Sequence, residues 1–204
     1  MGRRKQKIKR RIPAKWRKLV GTIENGNEVE VVEAAKELAN LRIRRSVKPL
    51  VRLFQEGRTM HIRENACYAL AWMRFSHLTP VFIGCLRDEK ESERVRGQAA
   101  EALEILHGNN PRASTSRRYR AAENVLIKSL TDPSPTVRFW CCFALGGMGS
   151  KRAVEPLLRL KAFDKALCPG WWYLREEASD ALDRIQGRDS PDRIPVHLRS
   201  KSRK

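Results

Sequence analysis

Hydrophobic and polar residues recur along this chain with the spacing of an α-helix, and one helical pattern occurs four times. Each copy begins with an apolar residue followed by arginine, and small or apolar residues follow at offsets 4, 7, 8 and 11. These offsets lie on one face of a helix. From starts at Ile62, Val95, Val137 and Leu174, they hold Ala66, Ala69, Leu70 and Met73; Ala99, Ala102, Leu103 and Leu106; Cys141, Ala144, Leu145 and Met148; and Ala178, Ala181, Leu182 and Ile185. Because small side chains let a neighbour approach closely, the pattern predicts "first helices" that stack on one another.

An irregular copy of the pattern precedes these four, and a shorter apolar segment follows each of the five helices except the last. The sequence predicts these "second helices" over residues 47–54, 78–86, 125–130 and 153–160. Proline near the start of three of them is compatible with a first helical turn, where its missing N–H has no partner to lose. The first of these hairpins begins with an irregular copy of the pattern, in which Glu30 and Glu37 replace apolar residues; a terminal repeat that faces solvent or a cap tolerates this.

The most complete copy lies near residue 140. Its motifs are Asp132-Pro133, Val137-Arg138, Ala144-Leu145-Gly146, Gly149 and Ala153-Val154-Glu155-Pro156-Leu157. They resemble the HEAT-like repeats of the phycobilisome-lyase type, and the resemblance covers roughly residues 28–187. It implies an all-α fold, an α-α superhelix of about five helical hairpins whose second helices line a concave face. Solenoids of this kind serve as scaffolds, lyase subunits, hydroxylases and DNA glycosylases.

The pattern divides the chain of 204 residues into three parts. Residues 1–24 form a basic N-terminal arm that ends in a short capping helix after Pro13, residues 25–187 form the repeat domain, and residues 188–204 form a basic tail. Residues 107–120 read as a loop inserted between the two helices of one hairpin, because Gly, Asn, Pro and Ser are turn formers.

The net charge of +19 is concentrated in these appendages. Residues 1–18 hold ten Lys or Arg and no acid, and residues 188–204 carry +4, which leaves +5 for residues 19–187. Four of those five charges lie in the inserted loop. A nearly neutral scaffold with basic arms is typical of a protein that meets a polyanion, most commonly nucleic acid. Solubilising tails are the alternative interpretation.

The candidate phosphate contacts are therefore the cations of the arm and the loop. They are Arg3, Arg4, Lys5, Lys7, Lys9, Arg10, Arg11, Arg112, Arg117, Arg118 and Arg120. Tyr119 among the arginines, and the pair Trp171 and Trp172 at a Pro-Gly turn, are candidates for stacking or for partner contact. Packing of Tyr119 into the next helix, and of the tryptophans over the end of the solenoid, are the structural alternatives.

The arginines that recur after each helix start have a structural interpretation. They are Arg63, Arg96, Arg138 and Arg175. In HEAT-like repeats an arginine at this place commonly pairs with an aspartate of the preceding turn. Asp88 before Arg96 and Asp132 before Arg138 are suitably placed for such pairs.

Residues for catalysis or metal binding are scarce. The four histidines are isolated, and Cys141-Cys142 occupies small-residue positions of a packed helix, so no metal site, catalytic residue or cofactor is expected. Five scattered cysteines favour a reducing compartment, and no apolar run has the length of a membrane span or a secretory signal, which predicts the cytoplasm.

The sequence therefore predicts a non-enzymatic HEAT-repeat binding module that binds nucleic acid or a ribonucleoprotein through its basic arms and loop. The alternative is a protein scaffold that grips an acidic or helical partner on its concave face. A third possibility is an enzyme, either a HEAT-like DNA glycosylase or a bilin lyase subunit.

Overall fold

The computed structural model of the protein describes residues 13–108 and 115–199. Within them the chain forms helices α1 (Ala14–Asn25), α2 (Glu28–Asn40), α3 (Val47–Glu56), α4 (Met60–Trp72), α5 (Thr79–Arg87), α6 (Glu93–His107), α7 (Arg117–Lys128), α8 (Pro135–Gly147), α9 (Val154–Phe163), α10 (Leu174–Ile185) and α11 (Val196–Arg199). The predicted all-α fold is confirmed.

The helices pair differently from the predicted order. Each second helix packs mainly on the first helix that follows it, in the pairs α3–α4, α5–α6, α7–α8 and α9–α10, and α10, which also packs on α8, closes the stack. The predicted pairing of each first helix with the second helix after it is therefore wrong. The first helix, α1, packs on α2 at the opposite end. All the predicted stripe residues of the α4 and α8 repeats are buried, so the predicted register of these helices is correct. They are Ala66, Ala69, Leu70, Met73, Cys141, Ala144, Leu145 and Met148.

Short polar residues fix where the helices begin. The side chains of Asn27, Thr59, Ser92, Ser116 and Ser134 each accept a hydrogen bond from a backbone N–H in the first turn of the helix that follows. Such caps satisfy backbone donors that have no partner within the helix. Ser116 therefore starts α7 at Arg117, eight residues before the predicted start, so the last part of the expected loop is helical.

The two layers of helices are spaced differently. Neighbouring first helices contact each other closely along the whole stack, whereas neighbouring second helices contact each other far less. Cavities of about 690, 360 and 730 Å³ lie between α1 and α3, between α3 and α5, and between α7 and α9. In a curved double layer, the closely spaced layer is on the inside. The first helices therefore line the concave face, and the expectation that the second helices line it is wrong.

Small residues allow this close spacing. A Cβ atom added to Gly97 on α6 would lie 2.6 Å from Cδ1 of Trp140 on α8. One added to Gly146 on α8 would lie 2.8 Å from the Cα atom of Ala181 on α10. No side chain fits at these distances, so the glycines are required by helix contact. Cys141 and Cys142 are buried in the same layer, where burial raises the pKa of both thiols.

The repeated leucines of this layer provide a test of the register. Leu103 and Leu145 are fully buried, and Leu103→Ala or Leu145→Ala should each lower the free energy of unfolding by about 2–5 kcal/mol through cavity formation. Leu158, which is 46% exposed on α9, is the matched control. Urea denaturation measures all three variants, and losses below about 0.5 kcal/mol for both buried positions would contradict the packing.

Candidate functional site

The turns of the solenoid lie on two opposite edges. The turns that lead from each first helix to the next second helix, with the first turns of those second helices, form what we call the hairpin edge; its described residues are 41–50, 73–82, 108, 115–120 and 148–157. The turns that lead from each second helix to the following first helix, residues 57–59, 88–92, 132–134 and 164–173, form the linker edge. Because each hairpin stacks on the previous one, turns of the same kind follow one another along the same edge.

The hairpin edge is strongly basic. Its exposed cations in the described residues are Arg42, Arg44, Arg45, Lys48, Arg74, Arg117, Arg118, Arg120, Lys151 and Arg152. The acid on this edge in the described residues is Glu155, which pairs with Arg159 at 3.0 Å. Glu123, one turn further along α7, is buried and accepts hydrogen bonds from Ser150 and Arg152. The body of the solenoid is therefore nearly neutral in total, but positive charge is concentrated on its hairpin edge.

Seven of these cations were not among the sequence-based candidates, although the sequence carries a signal for them. Residues 38–55, 65–87, 105–122 and 133–154 contain no Asp or Glu, and each of these acid-free segments spans one hairpin turn. Averaging the charge over residues 19–187 conceals this periodicity.

Hydrogen bonds between neighbouring hairpins hold the basic turns in one line. Arg42 Nη2 donates to the carbonyl of Met73 at 3.5 Å, and Thr79 Oγ1 and His107 Nε2 are 2.8 Å apart. Further along, the Tyr119 hydroxyl donates to the carbonyl of Met148 at 3.1 Å. Burial, together with the charge of Arg118, lowers the pKa of His107, so this imidazole adds no charge to the edge at neutral pH.

Three of the candidate arginines lie at an unusual place in a helix. Arg117, Arg118 and Arg120 are exposed in the first turn of α7, which contains no acid. The amino-terminal end of a helix carries a partial positive charge, so cations there repel it and an anion is favoured. Residues that violate a local preference in this way often mark a functional site.

The structure does not bring Tyr119 to this surface. Its side chain is 5% exposed, packs edge-on against His107 at 6.2 Å and donates its hydroxyl hydrogen to a backbone carbonyl. A buried ring cannot stack on a base, so the stacking role considered for Tyr119 is replaced by the structural alternative.

The amino-terminal arm joins the solenoid at the hairpin edge. Trp16 Nε1, in the first turn of α1, donates to Ser46 Oγ at 2.9 Å, and Lys15 pairs with Glu37 near the end of α2. The arm cations Arg3, Arg4, Lys5, Lys7, Lys9, Arg10 and Arg11, together with Arg112 of the loop, lie outside the described residues.

Much of the carboxy-terminal tail is docked on the solenoid. Arg193 binds Asp180, Arg199 binds Glu176, and Arg188 binds Asp183. The backbone N–H of Val196 donates to the carbonyl of Trp171 at 2.9 Å, which returns the chain to the linker edge. The charges of these three arginines are therefore neutralised, and residues 200–204 lie outside the described part.

Ion pairs that are buried or partly buried connect successive repeats along the linker edge. Arg63 pairs with Glu91 at 2.8 Å, Arg96 with Asp132, and Arg138 with Asp164 at 2.8 Å. Each arginine also donates to a carbonyl of the preceding connection or the helix end before it. The structural interpretation of these arginines is thus correct, but the expected direction is wrong: the carboxylate comes from the following connection, not the preceding one. Arg175 instead lies over the ring of Tyr173, 5.2 Å from its centre.

Trp171 and Trp172 belong to an aromatic cluster at the end of the stack. Their rings lie 5.9 and 5.6 Å from Phe139, and Trp171 also lies 5.4 Å from Trp140. Trp172 Nε1 donates to Glu177 at 3.0 Å, and burial raises the pKa of Glu177 to about 7. Trp172 is therefore mainly structural, whereas Trp171, 38% exposed, remains available to a partner.

The described residues contain no group of three or more His, Cys, Asp or Glu side chains that could hold a metal ion. None of the helices in the described part of the chain is apolar over a length that would span a membrane.

Comparison with known proteins agrees with this fold. A family model of the HEAT repeat matches residues 124–151, which confirms the predicted resemblance for this repeat. No curated protein matches the sequence.

Three solved structures are similar in fold. The complex of CpcE and CpcF of phycocyanin lyase from Nostoc sp. has 19% identity and a TM-score of 0.65, with 82% of this chain and 98% of that chain covered. A designed armadillo repeat protein in complex with the peptide (KR)4 has 20% identity and a TM-score of 0.55, covering 82% and 80%. An engineered protein has 19% identity and a TM-score of 0.56, covering 88% and 84%. At these identities the likeness shows the helical-repeat fold alone.

The direction of the ion pairs on the linker edge is testable. Asp132→Ala removes the partner of Arg96, whose side chain is 7% exposed, and should cost about 3–5 kcal/mol of unfolding free energy because a buried charge is left unpaired. Asp88→Ala, at the exposed position of the preceding connection, should change stability by about 0.5 kcal/mol or less. Equal losses measured by urea denaturation would mean that Arg96 pairs with both.

Proposed function

We propose that the protein is a non-enzymatic module that binds the phosphate backbone of nucleic acid along its hairpin edge. The observation that carries the proposal is the line of ten exposed cations on this edge. Arg120 and Arg152 contact the buried Glu123, and the one acid of the edge in the described residues, Glu155, is already paired. Cations fixed along one surface attract a polyanion and release its counterions.

The dimensions of the edge suit a short stretch of duplex. Packed helices lie about 8–10 Å apart, so four successive hairpin turns extend over about 30 Å. This length corresponds to roughly nine base pairs at about 3.4 Å each. Helix α1 begins beside this edge, where Trp16 bonds to Ser46. We propose that the cations of residues 3–11, which precede it in the sequence, contact the same nucleic acid.

The other candidate functions receive less support. An acidic partner on the concave face would meet Glu101 and Glu104, which have the wrong sign of charge for it. The enzyme alternatives, a lyase subunit or a glycosylase, gain nothing from the similarity to a phycocyanin lyase complex, because at 19% identity it concerns the fold alone. Among the described residues of the hairpin edge, no group suggests a catalytic role.

Salt dependence measures the number of phosphate contacts. If Arg117, Arg118 and Arg120 each contact a phosphate, replacing all three by alanine should make the plot of log affinity against log salt less steep by about 2.7, at about 0.9 per contact. Fluorescence anisotropy with two unrelated 20-base-pair duplexes and one single strand, at several salt concentrations, gives the slopes. The change should be nearly equal for both duplexes, because phosphate contacts do not read bases.

A variant with the same change of charge on the linker edge is the control. Lys90 and Lys165 are exposed there and Arg87 is exposed beside them at the end of α5, and replacing all three by alanine should leave the slope nearly unchanged. Equal changes for both triple variants would indicate attraction by net charge without a defined surface. Absence of wild-type binding to every probe at low salt would contradict the proposed function.

A further inference from the structure

The solvent-facing side of the first helices is a second surface with a different chemistry. Offsets 3, 6 and 10 from each helix start point away from the buried stripe, and their residues lie side by side on neighbouring helices. On α4, α6 and α8 this surface, which we call the inner face, is formed by Asn65, Tyr68, Trp72, Gln98, Glu101, Ile105, Trp140, Phe143 and Gly147.

Aromatic rings stand on both sides of α6. On α4, Tyr68 is 37% and Trp72 is 50% exposed, and their rings meet edge to face at 5.8 Å. On the other side, Trp140 of α8 covers Gly97 and contacts the exposed ring of Trp171 at 5.4 Å. Large aromatic residues left at the surface of a concave layer are typical of a binding site.

Two carboxylates of α6 lie between these aromatic groups: Glu101 on the inner face, and Glu104 beside it, where its side chain adjoins Gly147 of α8. Glu101 and Glu104 on α6 take part in no ion pair within the described residues, and Glu101 accepts a hydrogen bond from Gln98. Burial raises the pKa of both carboxyl groups, and the charge of Glu101 raises that of Glu104 further, while the nearby Arg74 and Arg184 act in the opposite direction. A cation placed between the two would relieve this repulsion.

We infer that the inner face binds an extended segment of a partner protein that carries arginine or lysine side chains. Carboxylates pair with guanidinium or ammonium groups, and aromatic faces attract the same cations and cover their apolar stems. The aromatic groups on α4 and α8 are about 20 Å apart across α6, which an extended segment of about six residues spans. This site goes beyond the proposed function, because nucleic acid has the wrong charge for it.

The test uses an eight-residue peptide of alternating lysine and arginine, labelled with fluorescein, and the full chain at about 0.15 M salt. Anisotropy should show saturable binding, whereas a peptide of alternating glutamate and aspartate should not compete. Replacing Glu101 and Glu104 by glutamine keeps their shape and should weaken binding about tenfold or more. The control, Glu28→Gln with Glu89→Gln, makes the same change of charge elsewhere and should keep affinity within about twofold.

A second test variant, with its own control, measures the contribution of the aromatic side chains to peptide binding. Tyr68→Ala with Trp72→Ala should weaken peptide binding about tenfold, and Leu158→Ala with Phe163→Ala, which removes exposed side chains from α9, should not. All four variants should bind duplex DNA like the wild type, which separates this site from the hairpin edge.

Three results would overturn the inference. They are no binding of the cationic peptide, equal losses in the test and control variants, and tighter binding after the cations of residues 3–11 are replaced by glutamine. The last result would mean that the chain's own arm is the occupant.

Discussion

The pairing of one arginine per repeat with a carboxylate of the next connection is the interaction on which the arrangement of charge depends. Arg96 and Asp132 are almost completely buried, with side chains 7% and 9% exposed. Arg96 is tolerated there because it donates to Asp132 and to the carbonyl of Leu86, and Asp132 because it accepts from Arg96 and from the backbone N–H of Ser134. Such pairs occur at the same point of consecutive repeats, so an acid is required in each of these turns of the linker edge, and it neutralises the repeated arginine.

The hairpin edge is under no such requirement. Its turns are held together by neutral contacts, such as those of Tyr119 with a carbonyl and of Thr79 with His107. Arg42 donates to a carbonyl of the next turn, and Arg120 and Arg152 contact Glu123, but most cations of this edge make no such contact within the described residues. The repeated arginines of the linker edge are thus paired, whereas most cations of the hairpin edge are not. The concave face between the two edges combines aromatic rings with Glu101 and Glu104, which form no ion pair within the described residues.

The fold could be predicted because helix period, small-residue positions and turn residues agreed with one another. The site was harder to predict. The direction of the pair between Arg96 and Asp132 depends on how two hairpins stack, which spacing along the chain does not contain. The start of α7 depended on a single cap, Ser116, and the docking of residues 188–199 depended on Asp180 and Glu176, acids that a count of tail charge leaves out. The curvature followed from the spacing of the two layers, which is a property of the assembled stack.

Acetylation of lysines with and without a 20-base-pair duplex, mapped by mass spectrometry, tests most directly whether the hairpin edge is the interface. Lys48 and Lys151 lie on this edge, and Lys90 and Lys165 lie on the linker edge; all four are exposed. If the duplex binds along the hairpin edge, it should protect Lys48 and Lys151 from acetylation and leave Lys90 and Lys165 reactive. Protection of Lys90 and Lys165, with Lys48 and Lys151 unprotected, would contradict it.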